Sequence, residues 1–227
     1  MREVGDCERA RQFVEKQADS MMRQMSQTPT TPPEGEPDQS RLISFSDNVL
    51  SVAITLLVFD VRVPAGWTHL ELRDAIPALA PRILSFALSF FVIGVFWVAH
   101  NNIFRAATHI NRAIQWLNNL YLLTICLIPA SAALLGQFSG QRAAVVLYGV
   151  NLLAVGLSMR WLWGYVIRIN LERGAPINAQ LQRSGKRRIG VGIILALIAV
   201  ACGWINPWVS YAIFWVTPLS FAWVQFR

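Results

Sequence analysis

Asp47 is an ionisable residue inside a long apolar stretch of this sequence, and His100 is another at the end of the next. Uncharged hydrogen-bonding residues stand near them: Ser46 beside Asp47, Trp97 three positions before His100, and Asn118 in the next apolar run. A carboxylate at the centre of a bilayer costs about 2.5–3.5 kcal/mol on insertion scales, so Asp47 needs a partner or water. Trp97 and His100 share a helix face, and an indole N–H and an imidazole there can converge on the Ser46 hydroxyl and the Asp47 carboxylate. The expectation is an interhelical polar cluster of Ser46, Asp47, Trp97, His100 and Asn118, with Arg41 near the membrane interface. Its favoured role is a lock that fixes the helix carrying Asp47. The competing role puts Asp47 or His100 on an ion or proton path, because intramembrane ionisable residues are functional candidates by default.

A second pattern lies on the same helix. Asn48, Val52, Thr55 and Phe59 recur at intervals of four, three and four, and at about 100° per residue they line one narrow face from which Asp47 projects far away. If that stripe faces an axis, Asp47 faces its own chain. Taken alone, the spacing is what ordinary helix packing produces. No Ser/His/Asp arrangement, paired carboxylates, Gly-rich phosphate loop or zinc spacing is present, so neither an enzyme nor a cofactor is expected. Cys7 lies in a polar tail while Cys126 and Cys202 lie in apolar runs, which leaves no extracellular pair for a disulfide framework.

The elements that hold these residues are membrane spans. The 227 residues are 54% hydrophobic and only 15% charged, with a mean hydropathy of +0.41, and the apolar residues gather into runs of spanning length. An all-α integral membrane protein is expected, with six spans near 42–61, 81–99, 113–135, 143–163, 189–205 and 207–225. The turn pair Asn206-Pro207 separates the last two into a hairpin. Residues 1–40, rich in Gln, Met, Glu, Thr and Pro, read as a disordered or partly helical tail without a signal peptide. Residues 41–227 form the membrane domain.

Charge orients the spans. The segment 164–188 carries Arg168, Arg173, Arg183, Lys186, Arg187 and Arg188, and 100–112 adds Arg105 and Arg112, so both loops and both termini belong in the cytoplasm of a multi-pass cell-membrane protein. A net charge of +7 and a pI near 10.0 point to the anionic membrane surface rather than to nucleic acid, since the basic residues flank apolar runs. Trp161, Trp163, Tyr165, Trp204, Trp208, Tyr211 and Trp223 read as interfacial aromatic belts. Pro129 and Pro218 read as kinks, and His69 and His109 as solvated loop residues.

Arg41, three residues, then Phe45-Ser46-Asp47, followed by an apolar helix ending Thr55-Leu56-Leu57-Val58, resembles the opening helix of the transmembrane protein 175 family, whose bacterial members carry one six-helix unit per chain. Phe96-Trp97-Val98-Ala99-His100 and Trp116-Leu117-Asn118-Asn119-Leu120 also resemble its pattern, and the likeness runs over about 41–225. It implies a homotetramer whose first helices line a central potassium-permeable pore, with other monovalent cations or protons as further permeants. In the family, the positions of Val52 and Thr55 look like the hydrophobic constriction and an adjacent hydroxyl ring, a device that gates by dewetting. Leu or Ile is usual at the constriction, and Val52 is one methylene smaller, which implies looser closure. No Thr-Val-Gly-Tyr-Gly filter is present, so modest selectivity through dehydration cost is expected. A secondary transporter would be expected to show an inverted repeat with broken helices at matching positions, and no second copy of the Phe-Ser-Asp opening is found. A non-conducting accessory membrane protein would need no hydrophilic path.

Overall fold

A computed structural model describes residue 16, residues 39–62 and residues 72–225. The tail, including Cys7, and His69 lie outside the described residues, and side chains are not described at 72–75, 78 and 219–225. The described chain is all-helical: α1 Gln39–Leu56, continued by a 3-10 turn Leu57–Asp60, α2 Leu72–Ala106, α3 Arg112–Cys126, α4 Ile128–Gln137, α5 Arg142–Glu172, α6 Ala179–Ile205 and α7 Pro207–Gln225. Five stretches among the described residues are long and apolar enough to cross a membrane: Gln39–Asp60, Leu79–Ala106, Arg112–Gln137, Arg142–Glu172 and Ala179–Ile205.

Several boundaries differ from the expected spans. The 35 residues of α2 extend about 52 Å at 1.5 Å per residue, well beyond a hydrocarbon core of about 30 Å. The helix therefore begins before the apolar run and continues past it. In the third span, Leu127 separates α3 from α4 and Pro129 stands in the first turn of α4, because proline lacks the N–H that an unbroken helix would use. Asn206 is extended before Pro207, and its Oδ1 accepts from the Trp208 N–H at 3.0 Å, which starts α7 directly after α6.

The helices pack pairwise around one core. Helix α5 lies against α3, α4 and α6; α7 lies against α6 and α2; and α1 lies against α2, α3 and α4. Leu88, Ile93, Ile114, Tyr121, Tyr148 and Phe214 are fully buried. Where lipid surrounds a bundle, burial of apolar groups drives little association, and hydrogen bonds between helices assist. Ser85 Oγ donates to the Ala132 carbonyl at 2.7 Å, Asn151 donates to Ser131 Oγ at 3.1 Å, and Ser89 meets Tyr148 Oη at 3.1 Å. These ties hold α2, α4 and α5 as a frame for α1.

The polar network and the exposed face of the first helix

Burial divides α1 into two faces. Leu42, Ser46, Leu50, Ala53 and Leu57 are buried, while Arg41, Phe45, Asn48, Val52, Thr55 and Phe59 are exposed. At about 100° per residue, the exposed residues of α1 and its 3-10 turn occupy an arc of roughly 160°. Asn48, Val52, Thr55 and Phe59 lie near its middle. Val52 is 56% exposed and Phe59 is 70% exposed, whereas Ile54, on the far side, packs partly buried against the core. The Thr55 hydroxyl donates back to the Val52 carbonyl at 2.9 Å, which leaves its oxygen lone pairs outward. The 3-10 turn advances about 120° per residue, so Phe59 is rotated from the line that a continuous α-helix would set.

On the inner side the structure brings the expected polar residues together in two branches. Trp97 Nε1 donates to Asp47 Oδ1 at 2.9 Å. Separately, His100 Nε2 lies 2.8 Å from Asn118 Oδ1, Asn118 Nδ2 donates to Ser46 Oγ at 2.9 Å, and Ser46 Oγ donates to the Leu42 carbonyl at 2.8 Å. With its amide nitrogen directed at Ser46, Asn118 presents oxygen to His100, which assigns the proton to Nε2. His100 thus reaches Ser46 only through Asn118 and does not bond Asp47. Neighbouring residues on a helix point about 100° apart, so Ser46 faces the buried interior while Asp47 lies at the flank. His100, Asn118 and Ser46 have no exposed surface, and Trp97 is 42% exposed. The His100 ring stacks on Tyr121 with centroids 5.2 Å apart. Arg41 is exposed on the same arc as Asn48, turned away from Asp47.

Both ends of α1 are pinned, by contacts the sequence reading did not single out. At the first end Gln39 Nε2 donates to the Phe104 carbonyl at 2.7 Å. Close by, Asn170 accepts from Thr108 and donates to the Ala106 carbonyl at 2.7 Å, and Arg173 lies 3.3 Å from His109 Nδ1. His109, expected in solvent, is half-buried there. At the second end Gln137 Nε2 donates to Asp60 Oδ1 at 3.0 Å, and Arg82 donates to the Arg62 carbonyl at 3.2 Å and to the Asp60 carbonyl at 3.5 Å. A cation thereby satisfies carbonyls left open at a helix C-terminus. Gly136 permits this approach, because a Cβ there would lie 3.0 Å from Arg82 Cα and 3.3 Å from Asp60 Oδ2. The signal available in sequence was an Asp closing one apolar run and an Arg opening the next. Among the described residues no group of three metal-ligating side chains forms.

The arrangement is a helix held at both ends and through its middle, with its other face left exposed by the described residues. The family model for the endosomal/lysosomal potassium channel TMEM175 matches residues 41–129, which take in α1, α2, α3 and the start of α4. A potassium channel of Chamaesiphon minutus is 31% identical over 196 residues, which cover 82% of this chain and 96% of that protein. The crystal structure of a lysosomal potassium-selective channel TMEM175 homolog from Chamaesiphon minutus has a TM-score of 0.72 at 29% identity, covering 81% of this chain and 96% of that one. The endosomal/lysosomal proton channel TMEM175 of Homo sapiens is 27% identical over 169 residues, and the matched segment covers 71% of this chain but 32% of the human protein.

Proposed function

This chain belongs to the TMEM175 family, and from that membership we propose that it is a potassium-permeable channel whose pore lies on the axis of a homotetramer. The observation that carries this reading is the exposed arc of α1: Asn48, Val52, Thr55 and Phe59 face outward along a helix whose other face is buried and hydrogen-bonded. Four copies of that arc around one axis form a narrow channel. Val52 is its hydrophobic constriction, where an ion must shed water. The Thr55 ring follows, and Asn48 hydrates the opposite approach. Selectivity is modest, because side chains rather than a carbonyl filter line the path.

The remaining parts have supporting roles. Trp97 holds Asp47, and the His100–Asn118–Ser46 chain holds the inner face, so this network fixes the azimuth of the pore helix. The 19 residues of α7 extend about 28 Å, enough to complete a sixth span. With six spans, the basic ends of α2, α5 and α6 and both chain termini lie in the cytoplasm, and residues 1–40 form a cytoplasmic tail.

Purified protein in liposomes under a clamped potassium gradient tests the proposal. Potassium flux above that of empty liposomes is expected, with proton flux measured in parallel because the human relative is named a proton channel. A tetrameric preparation that passes neither ion would leave the accessory reading in its place.

A further inference from the structure

Trp163 does not belong to an aromatic belt. It is 2% exposed, and its indole N–H has no acceptor among the described residues. Its ring is admitted by Gly185: a Cβ at that position would lie 2.8 Å from Nε1 and 2.9 Å from Cε2. Trp163 and Gly185 together line a cavity of about 190 Å³ between α2, α5 and α6, with Asn102, Ser184 and Arg188 also on its wall. The Ser184 hydroxyl is committed to the Leu181 carbonyl at 3.0 Å. The groups on the wall left to act on a ligand are therefore the Arg188 guanidinium and the Asn102 amide, backed by the buried Trp163 indole.

This set is dominated by donors. Trp163 and Arg188 can only donate, and an indole N–H buried without an acceptor is an unusual and costly feature of a folded protein. Among the described residues no acidic side chain pairs with Arg188. Glu172 is the last acidic residue of the sequence, and it pairs with Arg168 at 2.7 Å on the exposed surface of α5. Arg183, Lys186 and Arg187 stand exposed on the same turns of α6. A half-buried guanidinium beside an unpaired indole N–H, in a basic surround, is complementary to an anion with several acceptor oxygens.

We propose that this cavity binds the phosphate group of an anionic phospholipid. Phosphate is the chemistry that a lipid and a free anion share, and the apolar part of the wall favours the lipid. Ile103, Leu181 and Ile189 line the same cavity, and 45% of Leu181 is exposed, so a glycerol and acyl stem has an apolar surface to lie on. A basic pocket between spanning helices at the cytoplasmic leaflet suits such a headgroup, and each nearby Lys or Arg adds attraction to an anionic surface. The inference rests on the proposed orientation, with the basic ends of α2, α5 and α6 at the cytoplasmic leaflet; it does not depend on ion conduction.

Native mass spectrometry of the full-length protein tests it, with phosphatidylglycerol or phosphatidylcholine titrated into the detergent and sodium phosphate as a separate arm. Phosphatidylglycerol should bind in preference to phosphatidylcholine. Arg188→Gln should weaken that binding about tenfold or more, and Trp163→Phe, which keeps the ring and removes the N–H, roughly threefold. Arg183→Gln, an equal loss of charge on the exposed rim, should change it less than about twofold. The proposal is overturned if Arg188→Gln binds like the unsubstituted protein, if Arg183→Gln weakens binding as much as Arg188→Gln, or if both lipids bind alike. Displacement of phosphatidylglycerol by millimolar sodium phosphate assigns the cavity to a free anion and overturns the lipid assignment. Arg188 is a half-buried residue of the cavity wall, so its substitution carries the test even if Trp163→Phe folds poorly.

Discussion

At the scale of single residues, Val52 and Ile54 point in nearly opposite directions from one helix, so matched substitutions there test the proposed pore face against plain packing. Val52→Ala or Val52→Ser should raise single-channel conductance and reduce discrimination between potassium and sodium, since a wider or more polar ring lowers the dehydration barrier. Val52→Leu should do the reverse. Ile54→Ala should leave conductance alone and cost about 2 kcal/mol of stability, read as a lower melting temperature in detergent. A size-ordered conductance series at 54 instead of 52 would refute the assigned face. The inner side allows a similar comparison of magnitudes. Asp47→Asn keeps an acceptor for Trp97, whereas Asp47→Ala strands an indole that is 42% exposed, so Ala should reduce tetramer yield more than Asn, by an amount near the low end of about 1–3 kcal/mol. Asn118→Ala strands the fully buried His100 and also removes a bond to Ser46, whose hydroxyl keeps the Leu42 carbonyl, and should therefore destabilise more than Asp47→Ala. The reverse order in thermal melts would make Asp47 the keystone instead.

Helix α1 behaves as a beam held at its two ends. The turn at Leu57–Asp60 is tightened where Gln137 holds the Asp60 carboxylate and Arg82 covers the closing carbonyls. This end depends on α2 and α4 coming close at Gly136. Gly136→Ala should force the Arg82 backbone away and cost about 1–3 kcal/mol by overpacking, and a spectroscopic label attached through Phe59→Cys should become more mobile as that end is displaced. Gln137→Ala removes one exposed hydrogen bond and should cost less than about 1 kcal/mol. Equal melting temperatures for Gly136→Ala and the unsubstituted protein would show that α2 and α4 are not fixed against each other at this point.

The whole molecule presents an arc along α1, with Arg41 at its start and Val52 and Phe59 further along, that the described residues leave exposed. Closed rotational symmetry covers such a surface with copies of itself. In mild detergent the protein should run at four times the 25.4 kDa chain mass, and Val52→Cys should cross-link between subunits on oxidation while Ile54→Cys should not. A conducting monomer would contradict the axial pore.

The presence of long apolar helices, the Asn206-Pro207 hairpin and the need of Asp47 for a partner all follow from the sequence, because lipid forces backbone groups into helices and charges into pairs. That Ser46, Asp47, Trp97, His100 and Asn118 stand at one depth follows from counting along antiparallel spans. Which of them bond is a matter of azimuth, and azimuth is set by how neighbouring helices pack: Ser46 turned inward to Asn118, Asp47 turned sideways to Trp97, and Arg41 turned out altogether. Trp163 shows the same division, since a helix apolar on every side carries no period to distinguish lipid from core. The extension of α2 to 72–106 was hidden because hydropathy registers only the part of a helix in hydrocarbon. The clamp at Asp60, Arg82 and Gln137 joins three separate helices, and only their tertiary packing decided that these residues would meet.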